Sequence, residues 1–157
     1  MISYQYSKKV LKKAIIKIKD ENIKSINSLN RVVSSNIFCD INYPSGDNAA
    51  FDGYAINSQD TKNIKKSLSK KFKIIGLIAA GNKPFKKKIK RYDAVEIMTG
   101  GIIPKGFDTI IPIEQIIFSP HKQNKKYIII DGKKTKYNHV RLAGSDFKKK
   151  ELSLIHI

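Results

Sequence analysis

Positions 47–55 read Asp-Asn-Ala-Ala-Phe-Asp-Gly-Tyr-Ala, and the interpretation of the whole chain starts from this stretch. Its two carboxylates, Asp47 and Asp52, are five residues apart and lie among small side chains. Because glycine adopts a positive φ without steric cost, the step from Asp52 to Gly53 predicts a tight turn. A carboxylate on a turn beside a rigid scaffold is a common place for chemistry. A solvated turn that leads into a strand is the alternative on these residues alone.

The composition indicates a globular chain with a large excess of positive charge. At 157 residues and 41% hydrophobic, the chain fits one domain or two small ones. Its formal net charge is +18, but only Arg31, Arg91 and Arg141 among its 31 basic residues are arginines. Specific nucleic-acid readers usually rely on arginine forks and stacked aromatics, which are not clustered here. We therefore expect solvated lysines, typical of an AT-rich genome, and no nucleic-acid partner; a basic β-rich module that binds nucleic acid or an acidic protein is the alternative.

The cysteine content and the hydropathy of the chain indicate its cellular compartment. Cys39 is the single cysteine, so an intrachain disulfide and a cysteine-based zinc cage are excluded, and we expect it to be a small core residue. No apolar run approaches the ~20 residues that span a bilayer, and the first residues lack a signal-peptide pattern. These features predict a soluble cytoplasmic protein without a membrane partner.

The first forty residues predict a helix followed by short irregular pieces. Ser7 is a plausible N-cap for a helix that runs to about Lys19. We expect a turn of helix near Ser28–Arg31 and a short strand around Val32–Phe38. One apolar stripe predicts that the helix faces a core, with membrane-surface binding by its basic face as the alternative. The stripe consists of Val10, Leu11, Ala14, Ile15 and Ile18.

Beyond a linker at Asn42–Gly46 the pattern changes to β-strands. Short apolar runs alternate with glycine, proline and charged clusters, which favours a small barrel or sandwich over alternating βα units. Ser119–Lys126 is predicted to be an exposed, basic hairpin tip. The predicted strands are Tyr54–Asn57, Lys71–Ala79, Val95–Met98, Thr109–Ile113, Ile116–Phe118 and Tyr127–Ile130.

Three further clusters have the residue types of a binding site. Ala79-Ala80-Gly81 ends a predicted strand with small residues that allow close approach. Glu96–Gly101 places a hydroxyl and two consecutive glycine amides at a strand end, where such amides can form an anion-binding nest. Val140–Asp146 places Arg141 five residues before Asp146. Each cluster alone is weak, since glycine-rich strand ends are common.

Taken together, these motifs resemble the N-terminal part of the molybdopterin molybdenumtransferases, the MoeA and gephyrin E-domain family. Asp47–Ala55 matches the family stretch Asp-Asn-Ser-Ala-Met-Asp-Gly-Tyr-Ala except at Ala49 and Phe51. The resemblance extends from the first helix to about Glu151. The other matches are Ile97-Met98-Thr99-Gly100, the set Pro104, Gly106, Asp108 and Glu114, and the set Arg141, Gly144 and Asp146.

The resemblance implies a fold, a reaction and an assembly. It implies an α+β chain with a linker domain, residues 1–45 plus 139–157, and an inserted mainly-β, barrel-like domain, residues 46–138. The family inserts molybdenum from molybdate into adenylylated molybdopterin and releases AMP, assisted by Mg²⁺ or a similar ion. Family members form homodimers of four-domain subunits, with the site between the catalytic domain of one subunit and the N-terminal domains of the other. The family's catalytic domain is missing here, so we expect the chain alone to be inactive; a dimerisation piece without chemistry is a further alternative.

Elementary electrostatics limits the roles that the matched residues can have. Asp52, Thr99 and Asp146 are the predicted catalytic residues; Asp52 and Asp146 would hold Mg²⁺, since carboxylates repel anionic substrates unless a cation lies between them. Thr99 would donate to an oxyanion. The predicted substrate-binding residues are Arg141, which can fork onto phosphate or molybdate oxygens, Gly100 and Gly101, whose amides can donate to an oxyanion, and Asp47.

The remaining titratable candidates carry weaker predictions. Asp47 and Glu114 are weaker site candidates, since either can cap a turn. His121 and His139 have no spacing that indicates a metal set.

The last six residues carry a separate expectation. Leu152–Ile157 reads Leu-Ser-Leu-Ile-His-Ile, which resembles the translation of a transposase adapter used in sequencing libraries. We therefore expect these residues to be non-native and the gene model to be truncated. A genuine C-terminal strand is the alternative.

Overall fold

The structure is a computed structural model, and it describes residues 2–14, 18–65, 68–82 and 85–152. The chain divides into two compact units, Met1–Asn36 and Ile37–Ile157. The first holds the helix and the second holds the strands, which confirms the predicted α+β class. No helix in the described ranges is long and apolar enough to cross a membrane.

The first unit contains one helix, α1, at Tyr4–Lys13. Its N-cap is Ser3, whose side chain accepts a hydrogen bond from the Tyr6 amide at 3.3 Å, so the predicted N-cap at Ser7 is wrong. The helix also ends six residues before the predicted Lys19. None of its residues is buried, so the predicted core-facing stripe has no buried contact where it is described, and Ile15 lies outside the described residues.

The segment that follows α1 is less regular than predicted. A 3₁₀ turn occupies Ser25–Asn27 rather than Ser28–Arg31. The expected strand at Val32–Phe38 is absent, although all of these residues are described. Only Phe38 pairs, through an isolated antiparallel bridge to Leu152.

The second unit is built on a mixed six-stranded sheet that curls into a half-barrel, as the mainly-β, barrel-like prediction required. The strand order is β5-β2-β4-β3-β7-β6, and every neighbouring pair is antiparallel except β3 with β4. The hairpin between β6 and β7 carries the predicted basic tip. The strands are β2 Gly53–Ile56, β3 Ser69–Ile78, β4 Asp93–Ile97, β5 Thr109–Pro112, β6 Ile117–Ser119 and β7 Tyr127–Asp131, following a short β1 at Asn48–Ala49.

Both faces of the sheet are buried because alternate strand residues enter different hydrophobic clusters. Tyr54 and Ile56 of β2 pack with Phe72 and Ile128 on one face, whereas Ala55 packs on the other. Each fully buried large side chain contributes about 1.5–3 kcal/mol relative to an exposed one. The sheet is therefore the stable scaffold that positions the loops at its ends.

Gly53, the first residue of β2, is required by close strand packing rather than by a turn. Its φ is not positive, so the predicted reason for this glycine is wrong. An added Cβ would lie 2.1 Å from the backbone oxygen of Ile111 on the neighbouring β5. Only glycine therefore lets β2 lie this close to β5 directly after Asp52.

A second, two-stranded sheet joins β1 to β8 at Val140–Arg141. Asn48 pairs with Arg141, and an isolated bridge joins Tyr43 to Phe147 farther along. The segments that precede and follow the six-stranded sheet in the sequence therefore run beside one another. Neither short strand was predicted, because two residues carry no readable period.

Candidate functional site

The end of the β2–β4 pair places Asp52 beside Thr99. Gly53 pairs with Ile97 in the antiparallel register, so the residues just beyond that pair meet at one corner of the sheet. Asp52 Oδ1 accepts hydrogen bonds from both the amide and the Oγ1 hydroxyl of Thr99, each at 2.7 Å. Two of the three predicted catalytic residues, Asp52 and Thr99, are therefore direct partners.

The Thr99 bonds fix the ionisation of Asp52. The Thr99 amide, and next its hydroxyl, stabilise the charged form and hold the pKa of the exposed Asp52 carboxyl below its ordinary value. Both bonds end on Oδ1, and within the described ranges Oδ2 accepts no protein donor. Asp52 thus presents one ionised oxygen to solvent.

The glycine amides after Thr99 are already used inside the protein. Gly100 donates its amide to the Ala49 oxygen at 2.9 Å, and Gly101 donates to the Met98 oxygen at 2.8 Å. The predicted anion nest at these two amides is therefore wrong for this structure. The Gly100 bond instead ties the loop after β4 to β1, and the Gly101 bond closes a turn within that loop; both support the corner that holds Asp52.

Arg141, at the end of β8, forms an ion pair with Asp146 in the loop that follows. Arg141 Nη2 contacts Asp146 Oδ2, and Asp146 Oδ1 accepts a 3.2 Å bond from the Ser145 hydroxyl. Both side chains keep considerable exposure, 48% for Arg141 and 29% for Asp146. The guanidinium predicted to bind substrate oxygens thus has an internal carboxylate partner that an anionic ligand would have to displace or share.

The two weaker candidates lie in different segments, Asp47 at the start of the opening stretch and Glu114 in the turn after β5. Asp47 Oδ1 accepts from the Ala143 amide at 2.8 Å and so links the linker to the loop after β8. Glu114 is exposed in the 3₁₀ turn Ile113–Gln115. The Ile113 amide of this turn donates to the backbone oxygen of Asp52 at 3.0 Å. Asp47 therefore has the turn-capping contact that its residue type allows, and Glu114 lies near Asp52.

These motifs were compared with known proteins. Residues 2–155 match the family model described as the MoeA N-terminal region, domains I and II. The chain belongs to this family. The resemblance predicted from the motifs is confirmed.

Relatives of this MoeA N-terminal region are considerably longer. A molybdopterin molybdenumtransferase of Haemophilus influenzae is 33% identical over 151 residues, which cover 96% of this chain and 35% of the relative. One of Staphylococcus epidermidis is 31% identical over 118 residues, 75% of this chain and 28% of the relative. The chain thus spans about a third of the length of the curated relatives it matches.

The fold of this MoeA N-terminal region is also found in solved structures. The crystal structure of a molybdopterin biosynthesis MoeA protein from Pyrococcus horikoshii OT3 superposes with a TM-score of 0.84 at 28% identity. The superposition covers 98% of this chain and 39% of that one. A second structure of the molybdopterin biosynthesis MoeA protein from Pyrococcus gives a TM-score of 0.79 at 27% identity.

The carboxylates of this MoeA region fit an incomplete cation site rather than a cage. No group of three or more His, Cys, Asp or Glu side chains with metal-binding geometry occurs among the described residues. Asp52 bonds to Thr99 while Asp146 bonds to Arg141 and Ser145, and the structure gives them no common partner. Mg²⁺ is usually held by one or two carboxylates together with water and substrate phosphates. The free oxygen of Asp52 fits that use.

Four other side chains, either predicted or left unassigned from the sequence, have defined surroundings. His139 is half-buried and packs edge-to-face on the exposed Phe51 ring, with centroids 4.9 Å apart, whereas His121 is exposed. Cys39 is only partly buried, so its expected core position is wrong. Asp108, part of the Pro-x-Gly-x-Asp motif, accepts from the Ser58 amide and hydroxyl, at 2.7 and 2.9 Å. The sequence gives no role to Asp108, because an isolated Asp carries no sign of its hydrogen-bond partner.

Proposed function

We propose that this chain is the N-terminal segment of a molybdopterin molybdenumtransferase. The longer protein would insert molybdenum from molybdate into adenylylated molybdopterin and release AMP. Family membership over residues 2–155 and the printed names of the relatives support this proposal. Because the chain spans only about a third of those relatives, we infer that it is inactive alone.

The observation that carries the proposal is the geometry at Asp52. The carboxylate is exposed, its pKa is lowered by its bonds to Thr99, and its Oδ2 accepts no hydrogen bond from the described residues. It directly precedes β2, whose close packing against β5 requires Gly53. A fixed negative oxygen on a rigid strand end suits the positioning of a cation that offsets substrate charge.

Mg²⁺ would be held by Asp52 through its free oxygen, with Asp146 as the second carboxylate if Arg141 turns towards the substrate. The ion would supply positive charge that offsets the negative charge of the substrate oxygens. Thr99 fixes the orientation of Asp52 by two bonds to one oxygen. Arg141 would exchange its carboxylate partner for a substrate oxyanion, to which its planar guanidinium can donate two parallel hydrogen bonds.

We further propose that the active protein is a homodimer in the cytoplasm, with the N-terminal domains of one subunit facing the catalytic domain of the other. The domain limits of residues 1–45 plus 139–157 and 46–138 belong to this proposal. The pairing of β1 with β8 and of Tyr43 with Phe147 supports these domain limits, because the pairing joins the segments that flank the inserted sheet.

A chimera tests the proposal. The chain is joined to the remaining part of the Haemophilus influenzae relative, and AMP release from adenylylated molybdopterin is measured with molybdate and Mg²⁺. We expect activity in the chimera and none in the chain alone. Asp52→Asn, which keeps the shape but removes the charge, should lower the rate by about 10²-fold or more.

Asp131→Asn is the matched control. Asp131 is also an exposed carboxylate with a lowered pKa, caused mainly by its bond to Lys134. It lies on β7, away from the corner formed by β2 and β4, so its change should leave AMP release intact. An Asp52→Asn chimera as active as the parent would rule out the assigned role.

A further inference from the structure

A cavity of about 720 Å³ lies beside Asp47, between the end of β3 and the loop that follows β4. Small-molecule sites usually enclose about 300–1,000 Å³, with apolar walls and a few polar groups. Ile78 and Phe107 are buried residues in its wall. Phe85, Ile89 and Ile103, which are partly buried, continue the same apolar surface.

The rim of this cavity carries positive charge from lysine side chains. Lys88 and Lys105 line it and are exposed, and neither has a carboxylate partner among the described residues. Lys87 differs, since its Nζ donates to the Ile75 backbone oxygen at 2.6 Å. Two ammonium groups are thus available to a ligand above an apolar wall.

Asp47 supplies the opposite chemistry at the same cavity. Its Oδ1 accepts from the Ala143 amide, while Oδ2 receives no donor from the described residues. A carboxylate oxygen of this kind accepts N–H donors from the edge of a heteroaromatic ring. The cavity therefore combines an acceptor, an apolar wall and two cations.

We propose that this cavity binds a phosphorylated heteroaromatic small molecule. The ring lies on the wall formed by Ile89 and Phe107, its N–H edge donates to Asp47, and its phosphate contacts Lys88 and Lys105. The identity of this ligand rests on the proposed transferase function: it is the phosphorylated pterin half of the substrate. Asp47 then recognises the ring, a role separate from the charge chemistry at Asp52.

Direct binding to the whole 157-residue chain tests the assignment. The probes are 6-hydroxymethylpterin phosphate and unphosphorylated 6-hydroxymethylpterin, followed by pterin fluorescence, which the absence of tryptophan leaves free of overlap. We expect the phosphorylated probe to bind about tenfold more tightly, since charge-assisted contacts are the stronger hydrogen bonds. This preference should shrink as salt is raised.

Matched variants locate the contacts. Lys88→Ala and Lys105→Ala should each weaken the phosphorylated probe about threefold to tenfold and leave the unphosphorylated one unchanged. Lys122→Ala, an exposed lysine on the β6–β7 hairpin, should alter neither. Asp47→Asn keeps an acceptor for the Ala143 amide but replaces the free oxygen with a donor, so it should weaken both probes.

Three results would overturn the assignment. They are no binding at millimolar probe, equal affinity for both probes, and a loss with Lys122→Ala as large as with Lys105→Ala. Since the readout is binding by this chain, its failure alongside an active chimera would reject the cavity and leave the transferase proposal standing. Binding as expected alongside an inactive chimera would reject only the transferase proposal.

Discussion

Two carboxylates in this molecule make the same pair of contacts with opposite consequences. Asp108 accepts from the amide and hydroxyl of Ser58, and Asp52 accepts from the amide and hydroxyl of Thr99. Asp108 divides the bonds between its two oxygens, whereas Asp52 receives both on Oδ1. Asp108 is half-buried over the buried Ser58, and Asp52 is exposed.

The difference shows how one local motif serves either structure or function. A carboxylate with both oxygens satisfied inside the protein has little left to offer a ligand, and its loss strands buried donors. A carboxylate held rigidly by one oxygen keeps the other for a cation or substrate. Exposure and the number of free oxygens, rather than the presence of a Ser or Thr partner, separate the two roles.

The largest expected effect comes from disturbing the packing of β2, the strand that follows and supports Asp52. Gly53→Ala places a Cβ 2.1 Å from the Ile111 oxygen, so β2 must move away from β5. We expect a loss of at least about 3 kcal/mol in the free energy of unfolding, at the upper end of overpacking effects. Urea denaturation followed by far-UV circular dichroism measures it.

Gly46→Ala is the control for that experiment. A Cβ at Gly46 would meet only the side chain of Ile102, at 3.5 Å, which is ordinary contact. Its stability should change by less than about 1 kcal/mol. Equal effects at Gly46 and Gly53 would mean that strand crowding does not explain the glycine after Asp52.

A smaller effect comes from removing each carboxylate in turn. Asp108→Ala leaves the Ser58 amide and hydroxyl without their acceptor, and we expect the free energy of unfolding to fall by about 2 kcal/mol. Asp52→Ala leaves donors at an exposed loop that water can satisfy, so its urea midpoint should fall much less than that of Asp108→Ala. If the two variants lost the same stability, the division into a structural and a functional carboxylate would be wrong.

The strands could be predicted from the sequence because their signals are local. All six strands of the large sheet lie within two residues of the predicted limits, since runs such as Tyr127–Asp131 are apolar and bounded by charge or turn residues. The helix was less predictable. Ser3 and Ser7 are both competent caps, and a helix without buried residues has no packing to fix its ends.

The site was predictable as a set of residues but not as a set of contacts. Motif order placed Asp52 and Thr99 in one site, and the register of β2 with β4 makes them partners. The amides of Gly100 and Gly101 were misjudged because their acceptors, Ala49 and Met98, are defined only by the folded loop. Nothing in the sequence distinguishes Lys88 and Lys105 from the other lysines, since lysine is common throughout this chain.

The finest test of the comparison concerns the ionisation of Asp52. Thr99→Val removes the hydroxyl but keeps the amide, which is the larger cause of the lowered pKa. The pKa of Asp52 should therefore rise towards, and stay below, its ordinary value, as followed by carboxyl-carbon NMR across an acid titration. Thr99→Ser should restore it, and Ser58→Ala, at the other carboxylate, should leave it unchanged.

The sign of the accompanying stability effect follows from the same bonds. A pKa that folding lowers gives stability that is present above the unfolded value, about pH 4, and is lost as the pH falls through the folded value. Thr99→Val should reduce the stability that is lost as the pH falls. It should leave the hydrogen bonds between Ser58 and Asp108 unchanged. A Thr99→Val protein in which the Asp52 pKa does not move would show that the hydroxyl, unlike the amide, does not hold the charge in place.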